Sequence, residues 1–239
     1  MKSSLGWFTV VNLVGAAYGM LLTAVILGCK KEKKASNILL AFFIFVLTMT
    51  IMTAVMWTTH LYNDLPHLFG VFARFYFLVG PALYFYIKAM TEPDFSFRKI
   101  YILHALPFLL DIVLNVNLYL LDAQTKIEIY RSIVFSTEQP RLPLRTIFLW
   151  FHMLFYIILS WKVYYEHAKR IKEVFSKIEK IKLTWLTYLI HSIELLLVCY
   201  FLFCFLRPVG GDVFYYFGKL KTAAETAIIL FLSYKGLIN

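Results

Sequence analysis

Long apolar runs are the feature that most restricts how this chain can fold. Most of them extend for about 20 residues, the length of α-helix that crosses ~30 Å of hydrocarbon. Strands of a membrane β-barrel would instead alternate polar and apolar residues in short segments. The sequence therefore predicts an all-α, polytopic membrane protein with a seven-transmembrane helix bundle. Hydropathy places the spans at Trp7–Cys29, Ile38–Leu61, Leu68–Met90, Ile100–Leu121, Leu144–Tyr165, Leu183–Leu206 and Phe214–Ile238.

The composition excludes an ordinary soluble domain. Hydrophobic residues make up 61% of the 239 residues, charged residues only 16%, and the mean hydropathy is +0.71. A soluble protein of this size needs a more polar surface. Residues 1–239 are expected to form a single domain.

The distribution of basic residues predicts the orientation. Fifteen of the 24 lysines and arginines fall in the first, third and fifth connections or at the C-terminal end. Eight fall on the opposite side, and Arg74 lies inside a span. Because basic residues are retained on the cytoplasmic side, the N-terminus is expected outside and the C-terminus in the cytoplasm. The net charge of +10 is thereby largely explained by topology, and no direct nucleic-acid contact is expected.

Five ionisable residues are predicted in the outer half of the bundle. Counted at about 1.5 Å per residue from the outer ends of the spans, they lie between ~9 Å and ~18 Å deep. A charge at such a depth costs ~2.5–3.5 kcal/mol even on insertion scales, so these side chains are expected to face the bundle interior. The five, each on a different predicted helix, are Arg74, Asp111, His152, Glu194 and Glu225.

Two interpretations of these five residues stay open. In one, they line a polar cavity open to the outside, in which Arg74 meets Asp111 or a glutamate and anchors a small-molecule ligand. In the other, they form a buried structural ion pair that fixes the register of the helices.

Three residues are candidates for a hinge. The Gly80-Pro81 pair interrupts the third span and Pro107 lies in the fourth, and each proline removes a backbone hydrogen bond. The alternative is a static bend that improves packing.

No catalytic chemistry is indicated. The sequence contains no G-x-S-x-G motif and no Gly-rich phosphate loop, so the protein is not expected to be an enzyme. His191 and Glu194 share a helix face, but a zinc site typically needs three ligands at strict distances. No metal and no cofactor are expected.

Two connections are long enough for structure of their own. In Ala168–Lys182 apolar residues recur at helical spacing, which predicts an extension of the fifth helix or a helix on the inner membrane surface. Asp122–Pro143, on the outer side, is interpreted as loop, with an interfacial helix or a lid as the alternative.

Several short segments carry a resemblance to a known family. They are Lys34–Leu40, Gly80–Lys88 with Thr91, His104–Phe108, Ser176–Leu186 and Ser233–Leu237. Their order and spacing resemble the N-terminal seven-helix sensor domain of membrane-tethered AraC-type, helix-turn-helix transcriptional regulators of Bacteroidetes bacteria.

The resemblance implies a sensor of the cell inner membrane. Such a domain would bind an extracytoplasmic or membrane ligand and relay the signal to a cytoplasmic output domain, expected to be fused in the full-length protein. The sequence ends at Asn239 without a DNA-reading element, so a stand-alone receptor also stays open. Membrane lipid is an expected partner, and a homodimer is left open. The competing interpretation is a small seven-helix transporter or channel.

Overall fold

The computed structural model describes residues 6–28, 34–92, 94–135, 144–174, 183–206 and 211–238. These ranges are helical and contain no β-strand, so the all-α prediction is confirmed for this part of the chain. Short 3-10 turns lie at Leu61–Asn63, Pro66–Leu68, Phe72–Phe75 and Lys99–Ala105. The α-helices of these ranges are α1 (Trp7–Gly28), α2 (Lys34–Thr58), α3 (Tyr76–Thr91), α4 (Leu106–Leu114), α5 (Val116–Leu120), α6 (Ala123–Phe135), α7 (Leu144–Val174), α8 (Trp185–Leu206) and α9 (Gly211–Ile238).

Five of the described segments are long and apolar enough to cross a membrane. They overlap the first, second, third, fifth and sixth predicted spans. The predicted fourth span is divided among a 3-10 turn, α4 and α5, and α9 covers the predicted seventh; neither is among the five. The five segments are Trp7–Gly28, Ala35–Thr58, Pro66–Thr91, Leu144–Glu173 and Trp185–Phe205.

Six long helices form the bundle. Helix α1 packs on α2 and α9, α3 packs on α2 and α7, and α8 packs on α7 and α9. Helix α2 also contacts α9, and α4 packs against the outside of α3. The core between these helices is apolar and includes Phe43, Leu83, Leu189 and Ile229, none more than 2% exposed. Burial of these apolar side chains holds the helices together.

Glycines let two helix pairs approach closely. A Cβ at Gly15 of α1 would lie 2.6 Å from Thr226 Oγ1 of α9, and one at Gly80 of α3 would lie 2.9 Å from Tyr156 Cβ of α7. Small residues at such contacts are typical of helices packed in membranes. Gly80 therefore sets the spacing of α3 and α7.

Two connections are more ordered than an irregular loop. Helix α7 continues past the predicted end at Tyr165, so the first part of Ala168–Lys182 extends this helix, and residues 175–182 lie outside the described ranges. The loop interpretation of Asp122–Pro143 is wrong for Ala123–Phe135, which forms α6. Asp122 caps α6 by accepting a hydrogen bond from the Thr125 backbone amide at 3.0 Å. Residues 136–143 lie outside the described ranges.

Candidate functional site

Arg74 is paired with Asp111. Its Nη1 donates to Asp111 Oδ2 at 2.8 Å, and the two side chains are only 8% and 7% exposed. Arg74 lies in the 3-10 turn Phe72–Phe75, immediately before α3, and Asp111 lies in α4. Of the partners considered for Arg74, the structure selects Asp111 over the two glutamates.

A second arginine shares the same carboxylate. Arg145, the second residue of α7, donates from Nε to Asp111 Oδ1 at 2.9 Å and from Nη2 to Asp111 Oδ2 at 3.2 Å. Its Nη2 also donates to the Ala73 carbonyl at 2.9 Å. We call Arg74, Asp111 and Arg145 the outer charge cluster. Two guanidinium groups and one carboxylate leave a formal surplus of one positive charge, and no further carboxylate of the described residues bonds to either arginine.

Arg145 is the accessible member of the cluster. Its side chain is 30% exposed, in contrast to its two buried partners. The guanidinium carbon lies 5.3 Å from the centre of the Phe77 ring, which holds the planar group by a cation–π contact. An arginine fixed in this way presents its remaining N–H groups in a defined plane, the geometry that suits a carboxylate or a phosphate.

Helix α6 is linked to the cluster through Tyr119. The Tyr119 hydroxyl accepts a hydrogen bond from Arg74 Nε at 2.9 Å, and its backbone carbonyl accepts one from Lys126 Nζ of α6 at 2.9 Å. Lys126 is 1% exposed, and its Nζ lies 3.0 Å from His67 Nδ1. Helix α6 is thus linked by a hydrogen bond to Tyr119, the residue that orients Arg74.

An aromatic cluster holds α6 over the loop that follows α2. Tyr130 of α6 packs with Tyr62, Phe69 and Trp57, at ring-centroid distances of 5.2 to 6.2 Å from its own ring. The Tyr130 hydroxyl lies 2.7 Å from His60 Nδ1. Burial raises the pKa of Tyr62 and of Tyr130, so both hydroxyls stay neutral at physiological pH. This packing holds α6 against the loop between α2 and α3.

A second ion pair lies on α9. Lys221 Nζ is 3.0 Å from Glu225 Oε1, and the two side chains are 8% and 3% exposed. Lys221 also donates to the Tyr76 hydroxyl, and Thr50 Oγ1 donates to Glu225 Oε1 at 3.2 Å. We call Lys221 and Glu225 the α9 pair. Its formal charge is zero.

A small cavity adjoins the α9 pair. Its volume of about 30 Å³ has room for one or two water molecules. Apart from the pair itself the lining is formed by Tyr76, Tyr200 and aliphatic side chains such as Leu47 and Leu196. Glu225 Oε2 has no hydrogen-bond partner among the described residues.

His152 is a separate feature on α7. It is 9% exposed, and neither ring nitrogen has a hydrogen-bond partner in the described part of the chain. Its ring lies 4.9 Å from that of Tyr156 and 5.7 Å from that of Phe77. The Tyr156 hydroxyl in turn lies 2.6 Å from His104 Nδ1. The residue is therefore embedded in aromatic rings below the outer charge cluster.

Glu194 faces outward, not into the bundle. It accepts a hydrogen bond from Trp161 Nε1 at 2.6 Å, and its Oε2 lies 2.7 Å from His191 Nδ1. Its side chain is 35% exposed and that of His191 is 62% exposed. The expectation that all five ionisable residues face the interior is wrong for Glu194, because its partners lie on the outer surfaces of α7 and α8.

The five predicted residues therefore do not form one cluster. Arg74 and Asp111 come together, whereas His152, Glu194 and Glu225 each have different surroundings. Among the described residues, no group of three or more His, Cys, Asp or Glu side chains is arranged to hold a metal ion.

The three hinge candidates occupy different settings. Pro81 lies inside α3, which continues through it from Tyr76 to Thr91, and Gly80 packs against Tyr156. Pro107 lies in the first turn of α4, where its missing N–H leaves no helical hydrogen bond unmade. A moving role for these residues stays a prediction.

Sequence reasoning missed Arg145, Tyr119 and Lys221 as members of these clusters. Arg145 and Lys221 were counted as charges that set orientation, although both fall inside predicted spans. That position inside an apolar run was the available signal. No pattern in the sequence marked Tyr119, because its role depends on how α5 turns toward Arg74.

Comparison with protein-family models, with curated proteins and with solved structures finds no match to this chain.

Proposed function

We propose that this chain is a sensor domain of the cell inner membrane that binds an anionic ligand at the outer charge cluster. Seven helices cross the membrane in this proposal, with the N-terminus outside and the C-terminus in the cytoplasm. Support comes from the five candidate spans and from the excess of basic residues in the predicted cytoplasmic connections. The segments that resemble AraC-associated sensor domains support the role in signalling.

One observation carries the ligand assignment: two arginines share one aspartate. Arg74 with Asp111 alone would already form a neutral buried ion pair. Arg145 adds a surplus cation that is 30% exposed and held in a fixed plane. An anionic group docking on Arg145 would neutralise this surplus charge and accept hydrogen bonds from the remaining N–H groups of Arg145. The ligand class is therefore a carboxylate or a phosphate.

The relay is expected to run along α3 and α7. An anion that competes with Asp111 for the arginines changes how the start of α3 and the start of α7 are held together. Below this point the two helices touch at Gly80 and Tyr156, and α7 continues as far as Val174. A ligand that prefers one spacing of these helices shifts the population toward it. The receiving element is the cytoplasmic output domain, an AraC-type regulator.

The experiment is an anion screen on the protein in lipid nanodiscs. Acetate, succinate and inorganic phosphate are compared at constant ionic strength, with choline chloride as the cation control, and the midpoint of thermal unfolding is measured. At least one anion should raise the midpoint in a saturable way, because a ligand that binds only the folded state stabilises it. Arg145→Gln should remove this effect while keeping the neutral pair of Arg74 and Asp111.

A flux assay separates a sensor from a transporter. The anion that stabilises the protein is loaded into proteoliposomes, and its release is followed with and without the protein. Binding without flux is the expected result. A midpoint that none of the three anions raises above the choline chloride reference, or release of the anion through the protein, would contradict the proposal.

A further inference from the structure

A pair of ionisable side chains faces outward near the middle of α8. His191 and Glu194 are 62% and 35% exposed, although each contacts the other. Glu194 lies ~14 Å from the first residue and ~18 Å from the last residue of this helix, close to the centre of a bilayer core of ~30 Å. This depth rests on the proposal that α8 crosses the membrane.

Contact with lipid hydrocarbon is energetically unfavourable for this pair. Ionisable residues within membrane spans face the bundle interior, a water-filled cavity or a protein partner, because exposure to hydrocarbon is strongly unfavourable. Trp161 Nε1 and His191 Nδ1 satisfy part of the hydrogen-bonding capacity of the Glu194 carboxylate. The remaining surface of both side chains is exposed. Another protein surface is needed to cover it.

The exposed face around the pair has the spacing of a helix-pairing seam. Successive members are three, four and three residues apart, followed by seven, which is the pattern of helices that pack along their length. The apolar members are 52% to 62% exposed. The face consists of Tyr188, His191, Leu195, Val198 and Phe205, and we call it the α8 face.

We propose that the α8 face pairs with the α8 face of a second copy of this chain. Two copies inserted in the same direction and related by a two-fold axis along the membrane normal place identical residues at identical depths. A patch that holds both a proton donor and a carboxylate at one depth is then complementary to itself. His191 of each copy lies against Glu194 of the other, and this single polar contact in an apolar seam sets the register of the pair.

Oxidative cross-linking tests the arrangement. In a full-length chain with Cys29, Cys199 and Cys204 replaced by serine or alanine, Leu195→Cys should form a disulfide-linked dimer in native membranes. Leu21→Cys is the matched control, since Leu21 is 61% exposed on α1, which packs on α2 and α9 and not on α8. Absence of a cross-link at residue 195, or equal cross-linking at both positions, would overturn the proposal.

Dimerisation in lipid tests the polar contact. Glu194→Gln and His191→Leu should each weaken the dimer about tenfold by single-molecule photobleaching in liposomes, the size expected from two interhelical hydrogen bonds. Glu173→Gln, at an exposed site on α7, should leave the dimer unchanged. A monomeric wild-type protein, or a dimer that survives both substitutions unchanged, would refute it. Extraction of the protein at alkaline pH would instead refute the membrane location, and anion binding is measured separately.

Discussion

The outer charge cluster and the α9 pair are both buried ionic contacts, yet they differ in charge balance and in access. The α9 pair holds one cation and one anion, both under a tenth exposed, beside a cavity of about 30 Å³. The outer charge cluster holds two cations and one anion, and one of the cations is 30% exposed. The α9 pair lies within one helix and is linked to neighbouring helices by hydrogen bonds with Tyr76 and Thr50, an arrangement that can fix helix register. A surplus charge open to solvent is instead suited to receive a ligand. Burial alone does not separate the two roles.

The largest effect is expected from Asp111→Asn. Without the carboxylate, two guanidinium groups face each other in a mostly buried site, which should cost ~3–5 kcal/mol of stability. The measurement is the free energy of unfolding in mixed micelles. Glu173→Gln removes a carboxylate that is 62% exposed and serves as the control, with a change below about 1 kcal/mol. An Asp111→Asn protein of unchanged stability would mean that the Asp111 carboxylate does not balance two charged guanidinium groups.

A double-mutant cycle on the α9 pair sharpens the contrast. Lys221→Met alone strands the Glu225 carboxylate and should destabilise the protein by ~3 kcal/mol, whereas Lys221→Met with Glu225→Leu should be within about 1 kcal/mol of wild type. A balanced structural pair can be replaced by apolar side chains in this way. If the double variant were as unstable as the single one, a role beyond register would be indicated for this pair.

Widening the contact between α3 and α7 should disturb the outer charge cluster as well as the packing of these two helices. A Cβ at Gly80 would lie 2.9 Å from Tyr156 Cβ, so Gly80→Ala should cost ~1–3 kcal/mol by overpacking and should weaken anion binding. The control is Gly28→Ala, since nothing lies within 4 Å of that site. Thermal unfolding and anion titration in nanodiscs report the two effects. Anion binding that survives Gly80→Ala intact would break the proposed link between helix spacing and the site.

The smallest effect concerns the cap of α6. Hydrogen bonds from the Thr125 side chain and then its backbone hold the pKa of Asp122 below its ordinary value of 3.8. A lowered pKa means that the ionised carboxylate stabilises α6 above about pH 4 and that this support is lost as the pH falls below that value. Below about pH 4, hydrogen exchange of the Ala123–Phe135 backbone amides, corrected for intrinsic rates, should therefore be faster than at higher pH. Asp122→Asn, which keeps a capping side chain, should show a smaller change with pH.

The helical class was predicted correctly, and five of the seven predicted spans overlap described segments that are long and apolar enough to cross a membrane. Runs of about 20 apolar residues are well explained only as such helices. The sequence also identified Asp111 as one candidate partner for Arg74. It left α6 as the alternative to a loop, and in the structure Tyr130 of this helix packs on Tyr62 and Phe69. Depth counting also failed for Glu194, since the depth of a residue does not say which side of its helix faces the bundle.

Arg145 shows a further limit of sequence reasoning. A basic residue at the end of an apolar run fits the topology rule as well as it fits a binding site. Only its contacts with Asp111, Ala73 and Phe77 distinguish the two roles, and these depend on where α7 places Arg145 relative to α3, α4 and the turn before α3.

Anion binding at the outer charge cluster is tested most directly by counting bound anions in equilibrium dialysis against labelled acetate and labelled phosphate. Three proteins in nanodiscs are compared: wild type, Arg145→Gln, and the double variant Lys221→Met with Glu225→Leu. One bound anion per chain is expected for the wild type and for the double variant, and binding more than about tenfold weaker is expected for Arg145→Gln. Binding that persists in Arg145→Gln and disappears in the double variant would contradict anion binding at the outer charge cluster.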